Sequence, residues 1–580
     1  MPDPGVQVGS PLQIAVRACR THFMSAAIFS ALLNILYLAP TIYMLQVYDR
    51  VVPTRGVFTL LFMTLIFAFA VATLSGLDFV RSRLLVRASL RLDRLLAPPI
   101  LKALIGRIDS TRSSQALREF DTLRGTLTGA GVLALFDAPW SPIYIIVCFM
   151  IHPALGGLAL FGSLALLAIA FLNERAIKAP LQQATEASSK SYQSLDQSTS
   201  AGGVVRALGM GDALVVRHMR DRQYASHLSA EANYASGGFL VATKFTRLLL
   251  QSVALGLGAF LAIEQKISPG AIFAASLLVT RAMAPVEQAV GAWRNVVQAR
   301  AAWKSVHDLL AGAPMEDNRT LLPPPTGHLA LENVSVLNPK RDRILVRDVT
   351  FSLQPGEVLG VVGPSGAGKS TLVRAIVGAI PVANGAVRFD GADASDWNTD
   401  QLARYVGYAP QEPTLFAGTV KDNIARFQTH LVDDKSALDD AVIRAAIVCG
   451  AHEFILRLPD AYDTQIGFGG LGLSAGQAQR IALARAMFGG PRFVVMDEPN
   501  AHLDAMGEAD LIEAITNLKA EGVTLIIVAH RTGVISAADK MMVMREGRIE
   551  AFGPRDELLK LAENRRPPPD AVLASKAGSE

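Results

Sequence analysis

Hydrophobic positions dominate the first half of the chain, in runs long enough to cross a lipid bilayer. A membrane helix requires about 20 consecutive, largely uncharged residues. Segments of that kind predict six membrane spans: Phe23–Tyr43, Gly56–Leu77, Leu133–Ile151, Ala154–Leu172, Phe239–Ile263 and Ala271–Val290. The first apolar run has no cleavage-type sequence after it, so we interpret it as a retained span rather than a signal peptide.

The polar segments between the spans predict their orientation. Residues Arg81–Arg124 include ten Lys and Arg, and residues Arg175–Arg222 include seven, whereas the three intervening connections carry few beyond Arg50, Arg55 and Lys266. The positive-inside rule therefore places both long loops and both termini in the cytoplasm. The helical patterning of these loops predicts that the membrane helices continue well beyond the bilayer.

The pattern changes in the second half of the chain. A Pro-rich segment, residues 313–328, predicts a linker between a membrane domain at 1–312 and a domain at 329–562. There, short apolar strands alternate with helices, as in an α/β domain. Residues 563–580 are predicted to be disordered.

Composition agrees with a membrane protein, since 51% of the residues are apolar and 18% are charged. The three cysteines are widely spaced and predict neither a disulfide framework nor a zinc site. A net charge of +4 identifies no class of partner, and we expect no nucleic acid.

A glycine-rich segment follows the apolar strand VLGVVG and fits the phosphate-loop pattern G-x-x-x-x-G-K-[ST]. Its candidate nucleotide-binding residues are Gly363, Pro364, Ser365, Gly366, Ala367, Gly368, Lys369, Ser370 and Thr371. Glycines allow backbone N–H groups to wrap phosphates, while Lys369 can reach the β- and γ-phosphates and Ser370 can bind Mg²⁺. A chance glycine-rich turn is the alternative, but the strand before it and the helix after it argue against that.

Four further positions complete a candidate catalytic set. Asp497 and Glu498 end an apolar strand, where Asp497 is suited to hold Mg²⁺ and Glu498 to polarise the attacking water. Gln411 could sense both Mg²⁺ and the water, and His530, at the end of another strand, could contact the γ-phosphate and hold Glu498. Taken singly, two acids in a turn or a histidine at a strand end would be structural.

A second anion site is predicted where Leu473-Ser474-Ala475-Gly476-Gln477 precedes a helical run. Backbone N–H groups at a helix N-terminus attract anions. Ser474, Gly476 and Gln477 are therefore candidate nucleotide-binding residues as well.

Together and in this order, these motifs resemble the ABC ATPases. Four further segments resemble the type I secretion exporters of proteases, lipases and RTX toxins: Tyr43–Pro53, Leu135–Tyr144, His452–Pro459 and Asp497–Asn500. The resemblance implies a membrane all-α six-helix ABC exporter domain plus an α/β P-loop ABC ATPase domain.

The resemblance also implies a function, cofactors and partners. The chain is expected to hydrolyse ATP with Mg²⁺ as a homodimer, each ATP lying between Lys369 of one chain and Ser474 and Gly476 of the other. It would export an unfolded protein carrying a C-terminal signal, with a periplasmic adaptor (membrane fusion) protein and an outer-membrane channel of TolC type. The expected location is the bacterial inner membrane, with the ATPase domain in the cytoplasm.

Other functions stay open at this point. The same fold exports lipids, drugs or small peptides. A nucleotide-gated regulator without net transport is a third possibility, against which the intact Glu498 and His530 argue. The first span begins near Phe23, which leaves no room for the N-terminal cysteine-peptidase domain of some relatives, so we expect the cargo to be exported uncleaved.

The chain departs from the family pattern at four places. Ala475 replaces a glycine, which is a steric burden if the residue needs a positive φ. Asn338 stands where an aromatic residue normally stacks on adenine, so we expect Asn338→Tyr to tighten ATP binding. Phe468 replaces an acidic residue, and Ala501-His502 replaces Ser-Asn. The catalytic candidates are intact, and we expect an active ATPase.

Charged residues in the last two predicted spans also need a reason, because a charge at bilayer depth is costly. Lys244 and Arg247 lie in the fifth span, and Arg281, Pro285 and Glu287 lie in the sixth. One interpretation is the polar, kinked lining of a polypeptide tunnel. The other is snorkelling near helix ends together with an internal ion pair.

Overall fold

The computed structural model describes residues 11–105, 113–311, 321–338, 341–470, 472–529 and 532–564. These residues form two compact units, one on each side of segment 312–320. Each unit has its own hydrophobic core. His530, the first part of the predicted linker and residues 565–580 of the predicted disordered tail lie outside the described residues.

The described part of the first unit is helical. Its α-helices are α1 Pro11–Ala18, α2 Arg20–Leu36, α3 Ala39–Gln46, α4 Val52–Thr54, α5 Val57–Ile105, α6 Ser113–Leu127, α7 Ala130–Asp137, α8 Ser141–Ile151, α9 Pro153–Ser200, α10 Gly202–Ala207, α11 Gly211–Ile263 and α12 Pro269–Ala311. A π-helical segment, Val47–Val51, joins α3 to α4, and a 3₁₀ turn, Ala138–Trp140, joins α7 to α8.

Among the described residues of this unit, six helical stretches are long and apolar enough to cross a membrane, which confirms the six predicted spans. They are Arg20–Thr54, Val57–Ile105, Ala116–Ile151, Pro153–Thr199, Gly211–Ile263 and Pro269–Ala311. At about 1.5 Å per residue, a helix as long as α5, with 49 residues, far exceeds the ~30 Å hydrocarbon core. The predicted extension of the helices beyond the bilayer is therefore confirmed.

Helix α12 is the most deeply buried of the six described spans, with 56% of its most apolar stretch inside the protein, against at most 33% for the others. It packs against α3, α6, α7, α8, α9 and α11. Its buried face includes Ala271, Ala274, Ala275 and Ala282. Small side chains let neighbouring helices approach closely, which is how membrane helices gain packing energy without a hydrophobic driving force.

The start of α12 is fastened to the end of the first span by Asp49. Its carboxylate accepts hydrogen bonds from the backbone N–H of Gly270 (2.6 Å) and from the hydroxyl of Ser268 (2.5 Å). A Cβ atom added to Gly270 would lie 2.7 Å from the carbonyl oxygen of Leu45, so only glycine fits without a shift. Asp49 thus caps α12 from the π-helical segment.

The second unit is an α/β domain. Its strands are β1 Leu329–Leu337, β2 Ile344–Leu353, β3 Val358–Val362, β4 Asn384–Phe389, β5 Ala392–Asp393, β6 Val406–Ala409, β7 Gly418–Thr419, β8 Gln465–Ile466, β9 Phe493–Asp497, β10 Thr524–Val528, β11 Lys540–Arg545 and β12 Arg548–Pro554. Its α-helices are α13 Lys369–Ile376, α14 Thr399–Tyr405, α15 Val420–Ile424, α16 Lys435–Val448, α17 His452–Leu456, α18 Ala475–Met487, α19 Ala505–Ala520, α20 Thr532–Ile535 and α21 Arg555–Asn564.

Two larger sheets organise this unit. The first has the order β12-β11-β3-β10-β9-β6 and is parallel except for β12 at its edge. The second, β2-β1-β4-β5, is antiparallel. Strands β9 and β10 are buried along their whole length, as expected of continuous apolar runs in a parallel sheet. The register places Ile526 of β10 between Leu359 of β3 and Val495 of β9, so the carboxyl ends of these strands lie side by side.

The last residues of the predicted linker are bound to the second unit. Asp390 accepts hydrogen bonds from the backbone N–H groups of residues 326–328. Gln401 pairs with both backbone groups of Leu322, donating to the carbonyl (2.6 Å) and accepting from the N–H (3.2 Å). Residues 321–328 are therefore held on the second unit by hydrogen bonds near both ends of the segment.

Candidate nucleotide site

The sheet brings the candidate residues to one edge. Gly363 follows β3, Asp497 ends β9, and Gln411 comes two residues after β6. These strands belong to one parallel sheet, whose carboxyl ends form the usual ligand site of an α/β domain. His530 follows β10, which lies between β3 and β9, but it is outside the described residues.

Backbone conformation explains the glycines of the phosphate loop. Gly363, Gly366 and Gly368 have φ values of 152°, 79° and 94°, which residues with a Cβ rarely adopt. A Cβ at Gly363 would also lie 2.2 Å from the carbonyl oxygen of Met544. Gly368 precedes the first turn of α13, so the N-terminus of that helix opens onto the loop.

Lys369 lies across the phosphate loop. Its Nζ donates hydrogen bonds to the carbonyl oxygens of Gly363 (2.8 Å) and Pro364 (3.0 Å). The residue is only 6% exposed, and this burial lowers the pKa of the lysine, an effect that nearby Glu498 and Asp497 oppose. The ammonium group is thus positioned on the loop that would hold the phosphates.

Asp497 is fully buried, and neither of its carboxylate oxygens has a hydrogen-bond partner among the described residues. Burial raises the pKa of Asp497, and Glu498 acts in the same direction. Arg374, Lys369 and the Ser370 hydroxyl, which is near but outside hydrogen-bonding geometry, oppose this shift. A buried carboxylate without a partner is costly unless a cation binds it.

The oxygen donors at Asp497 and Ser370 are too few to hold a metal ion by themselves, but they suit Mg²⁺ bound together with phosphate oxygens. The described residues contain no group of three or more His, Cys, Asp or Glu side chains that could hold a metal ion. Mg²⁺ is commonly bound by one or two carboxylates together with phosphate oxygens and water. The partnerless Asp497, beside a phosphate loop that carries Ser370, has that character.

Glu498 has a strained backbone that the surrounding structure holds in place. Its φ of 50° is in the left-handed region, which is uncommon for glutamate. Its N–H donates to the carbonyl of Val528 (2.9 Å), and its carbonyl accepts from the N–H of Ala501 (3.1 Å). Its side chain accepts a hydrogen bond from Nε2 of Gln411 (3.1 Å). These contacts fix both the backbone and the carboxylate.

Ser474 and Gln477 form a reciprocal cap at the start of α18. The Ser474 hydroxyl accepts from the N–H of Gln477 (3.3 Å), and Oε1 of Gln477 accepts from the N–H of Ser474 (2.9 Å). Ala475 is the first helical residue and does not have a positive φ. The condition for a steric burden at Ala475 is therefore not met. No hydrogen bond between described residues of this chain joins Ser474 to the phosphate loop.

Residues 500–504 lie next to this cap. A Cβ on Gly476 would be 3.0 Å from the carbonyl oxygen of His502. Asp504 caps α19 through the N–H of Gly507 (2.8 Å) and pairs with Arg480 of α18 (3.0 Å). The segment is thus held between α18 and α19.

Two residues of α18 that support the site were missed in the sequence. Gln479 is fully buried and donates to the carbonyl of Pro499 (3.2 Å), directly after Glu498. Arg480 binds Asp504 and the carbonyl of Gly450. The adjacent polar pair Gln479-Arg480 within the mostly apolar run AQRIALARAM was the signal that could have found them.

Asn338 has a structural role in the turn between β1 and β2. Its Oδ1 accepts from the N–H groups of Asp342 (3.0 Å) and Arg343 (3.2 Å), and its Nδ2 donates to the Asp342 carboxylate (2.5 Å). Asparagine is favoured in turns because its side chain can replace backbone partners in this way. The side chain of Phe468, which replaces an acidic residue of the family pattern, lies outside the described residues.

Both units match families of known proteins. Residues 23–286 match the family model for the ABC transporter transmembrane region, and residues 346–501 match the model for the ABC transporter. The type I secretion system ATP-binding protein PrsD of Rhizobium meliloti (strain 1021) is 41% identical over 549 residues, covering 94% of this chain and 93% of that protein. The chain belongs to the type I secretion family of ABC transporters.

More distant relatives extend the comparison. The toxin RTX-I translocation ATP-binding protein of Actinobacillus pleuropneumoniae is 30% identical over 566 residues, covering 94% of this chain and 77% of that protein. A solved structure of a bacterial Atm1-family ABC exporter with ATP bound has a TM-score of 0.81 at 21% identity, covering 97% and 99% of the two chains. The predicted fold class, an exporter membrane domain with an ABC ATPase domain, is confirmed.

Membership of this family establishes the activity class. As an ABC transporter, the chain binds nucleotide and couples ATP hydrolysis to transport. It is a multi-pass membrane protein.

Proposed function

We propose that this chain is the ABC component of a type I secretion system and that it drives export of an unfolded protein across the inner membrane. The observation that carries the proposal is the 41% identity to a type I secretion ATP-binding protein, which extends over both units. The relative named as a toxin RTX-I translocation protein supports the same class of cargo. Identity over the ATPase unit alone would have left the cargo open.

The phosphate loop and its neighbours would bind the nucleotide. The backbone of residues 363–371 would surround the phosphates, and Lys369, which now donates to two loop carbonyls, would donate to the β- and γ-phosphates. Ser370 and Asp497 would hold Mg²⁺, with Gln411 close to both the ion and the water. When bound, Mg²⁺ would neutralise negative charge on the phosphate oxygens.

Glu498 is the proposed general base. Its carboxylate is oriented by the amide of Gln411 and can polarise the attacking water. His530 is proposed to contact the γ-phosphate. Glu498→Gln should abolish steady-state hydrolysis while ATP stays bound, whereas Lys369→Ala should weaken ATP binding itself. Hydrolysis retained by purified Glu498→Gln protein would exclude Glu498 as the base.

The second half of each site is proposed to come from the partner in a homodimer. The Ser474 hydroxyl uses its oxygen to accept from Gln477, so its hydrogen is available to donate to a phosphate. Gly476 and Gln477 would add backbone N–H groups at the start of α18. The Ser474 cap and the phosphate loop would then complete each other between two chains.

Mixing two inactive variants tests this arrangement. A heterodimer of Lys369→Ala and Ser474→Arg chains has one composite site with both defects and one with neither. Hydrolysis should therefore reappear in the mixture, at no more than half the number of wild-type sites. If each variant stays inactive and the mixture does too, in protein shown to exchange subunits, the shared site is wrong.

The proposed setting is the inner membrane, with the ATPase domain in the cytoplasm. A periplasmic adaptor protein and an outer-membrane channel of TolC type would complete the path. The cargo is proposed to carry its signal at the C-terminus. Co-expression of exporter, adaptor, channel and a candidate cargo should release cargo into the medium, and deletion of its C-terminal segment should stop release. Release that survives the deletion would favour the peptide-exporter alternative.

A further inference from the structure

The membrane unit contains a polar cavity of about 530 Å³. Its lining includes Asn34 and Tyr37 of the first span, Arg81 of α5, and Arg281, Gln288 and Asn295 of α12. Binding sites for small groups typically occupy a few hundred to a thousand Å³. Charged and amide groups within a membrane helix bundle are costly, and they normally mark a pathway or a binding site.

One wall of the cavity is a hydrogen-bonded network of charged and amide groups. Arg81, only 5% exposed, pairs with Asp137 (3.3 Å) and with Asp78 (2.7 Å). Asn34 donates to the same Asp137 oxygen (2.8 Å), and the Tyr144 hydroxyl donates to Asn34 Oδ1 (3.0 Å). Most polar atoms of this wall are therefore paired with one another, whereas Arg81 Nε has no hydrogen-bond partner among the described residues.

This wall carries one buried ion pair and one further carboxylate. Arg81 and Asp137 are a buried pair of opposite charge. The side chain of Asp78 is 48% exposed, so its charge is screened more than that of the buried pair. With one Arg and two Asp, the wall has a formal charge of −1, and its excess carboxylate is at the half-exposed position.

Arg281, on the other wall, has no such compensation. Its guanidinium lies over the ring of Tyr37, 4.0 Å from the centroid, and no carboxylate of a described residue is within 4.0 Å of it. The acid nearest along α12, Glu287, is already paired with Arg247 of α11 (2.9 Å). The internal ion pair expected in the last two spans thus joins Arg247 to Glu287, and Arg281 is a cation of the cavity that has no carboxylate partner among the described residues.

Pro285 adds a hydrogen-bond acceptor at the same place. It lies inside α12, lines the cavity and has no N–H, so it cannot donate to the carbonyl of Arg281 four residues earlier. Gln288 and Asn295 add amide groups further along the same helix. A cation beside amides and a backbone carbonyl suits an extended peptide that carries a carboxylate, since the peptide brings both donors and acceptors.

We propose that this cavity binds a carboxylate of the polypeptide being exported, with Arg281 as the contacting residue. The proposal rests on the proposed function as a protein exporter. The carboxylate can be an acidic side chain or the C-terminus, because a guanidinium binds both through the same charge-assisted hydrogen bonds.

Synthetic peptides test the proposal on purified full-length protein. The probes are a 20-residue peptide of Gly, Ser and Asp, the same peptide with Asn in place of Asp, and each of these with a free or an amidated C-terminus. Binding is measured by fluorescence anisotropy on wild type, Arg281→Gln and Arg281→Lys. Lys244→Gln is the matched control, because Lys244 is an exposed cation of α11 that does not line the cavity.

The Asp peptide should bind wild type and Lys244→Gln with equal affinity. Its affinity for Arg281→Gln should be at least about tenfold lower. Arg281→Lys should restore part of the affinity, and basal ATP hydrolysis should stay unchanged in the control Lys244→Gln. Preference for the Asp series identifies side chains, and preference for the free terminus identifies the C-terminal carboxylate.

Two results would overturn the inference in different ways. Equal binding of the Asp peptide to wild type and Arg281→Gln would show that Arg281 is not the contact, while the exporter proposal stands. Binding of none of the peptides to wild type would count against the exporter proposal as well.

Discussion

The amide of Gln411 donates a hydrogen bond of 3.1 Å to the carboxylate of Glu498, although the two residues are 87 positions apart in the chain. The contact joins the loop after β6 to the end of β9. It links the proposed general base to the residue proposed to sense the metal and the water. Movement of the Gln411 loop would therefore change the orientation of the base.

Replacing Gln411 should affect the chemical step more than binding. Gln411→Ala should lower kcat by about ten- to a hundredfold with little change in ATP affinity, because the carboxylate loses its orienting donor. Gln411→Glu should lower kcat at least as much, because it replaces the donor amide with a second carboxylate that repels Glu498. A kcat unchanged in both variants would argue against close contact during turnover.

Asp497→Asn should stabilise the nucleotide-free protein and abolish Mg²⁺-dependent hydrolysis. Since the folded state raises the pKa of Asp497, ionisation costs stability, which falls as pH rises from the ordinary aspartate range through the raised pKa. Removing the charge should therefore raise the free energy of unfolding by about 1 kcal/mol at neutral pH. Thermal unfolding with and without Mg-ATP measures both effects.

Asp504 provides a control of opposite sign for that experiment. A hydrogen bond from the N–H of Gly507 and the contact with Arg480 lower the pKa of Asp504. Its contribution to stability is thus present above the ordinary aspartate pKa and is lost as pH falls through the lowered value. Asp504→Asn should give no gain in stability at neutral pH, and a gain equal to that of Asp497→Asn would mean that burial is not the cause.

Asn338→Tyr should destabilise the second unit instead of improving ATP binding. The substitution removes the three side-chain hydrogen bonds that hold the β1–β2 turn, at a cost of about 1–3 kcal/mol. The matched control is the double variant Asn338→Asp/Asp342→Asn, which exchanges the amide and the carboxylate and keeps their contact. Tighter ATP binding by Asn338→Tyr at unchanged thermal stability would restore the sequence-based expectation.

Asp49→Ala should destabilise the membrane unit by about 1–2 kcal/mol, because α12 loses its cap. Gly270→Ala should have a similar effect, since its Cβ would collide with the Leu45 carbonyl and the Asp49 carboxylate. Gly256→Ala in α11 is the control, because nothing lies within 4 Å of the added Cβ. Melting temperatures in detergent should fall for the first two variants only.

Features encoded by local sequence were predictable. Each membrane span is a long, largely apolar run, and the phosphate loop and the Asp497-Glu498 pair are short segments whose chemistry requires those residues in that order. The ends of parallel strands then bring such segments together without further information.

Features that depend on distant contacts could not be predicted. Arg81 meets Asp137 across 56 residues, and nothing near either residue indicates the other. The hydrogen bonds that Asn338 makes with Asp342 in the β1–β2 turn do not follow from the aromatic residue that Asn338 replaces. The steric cost of Ala475 depends on its φ, and that φ is set by the reciprocal cap between Ser474 and Gln477. The sequence alone therefore gives this cost only as a condition.

The left-handed backbone of Glu498 affects which inactivating substitutions would accumulate in a gene copy that is no longer under selection. Glycine at 498 would relax the backbone, and asparagine at 497 would remove a buried charge, so both substitutions favour the folded state while ending hydrolysis. In a duplicated copy no longer selected for export, these two substitutions would not lower the stability of the folded protein. An inactive descendant that carried both changes would resist heat better than its working ancestor.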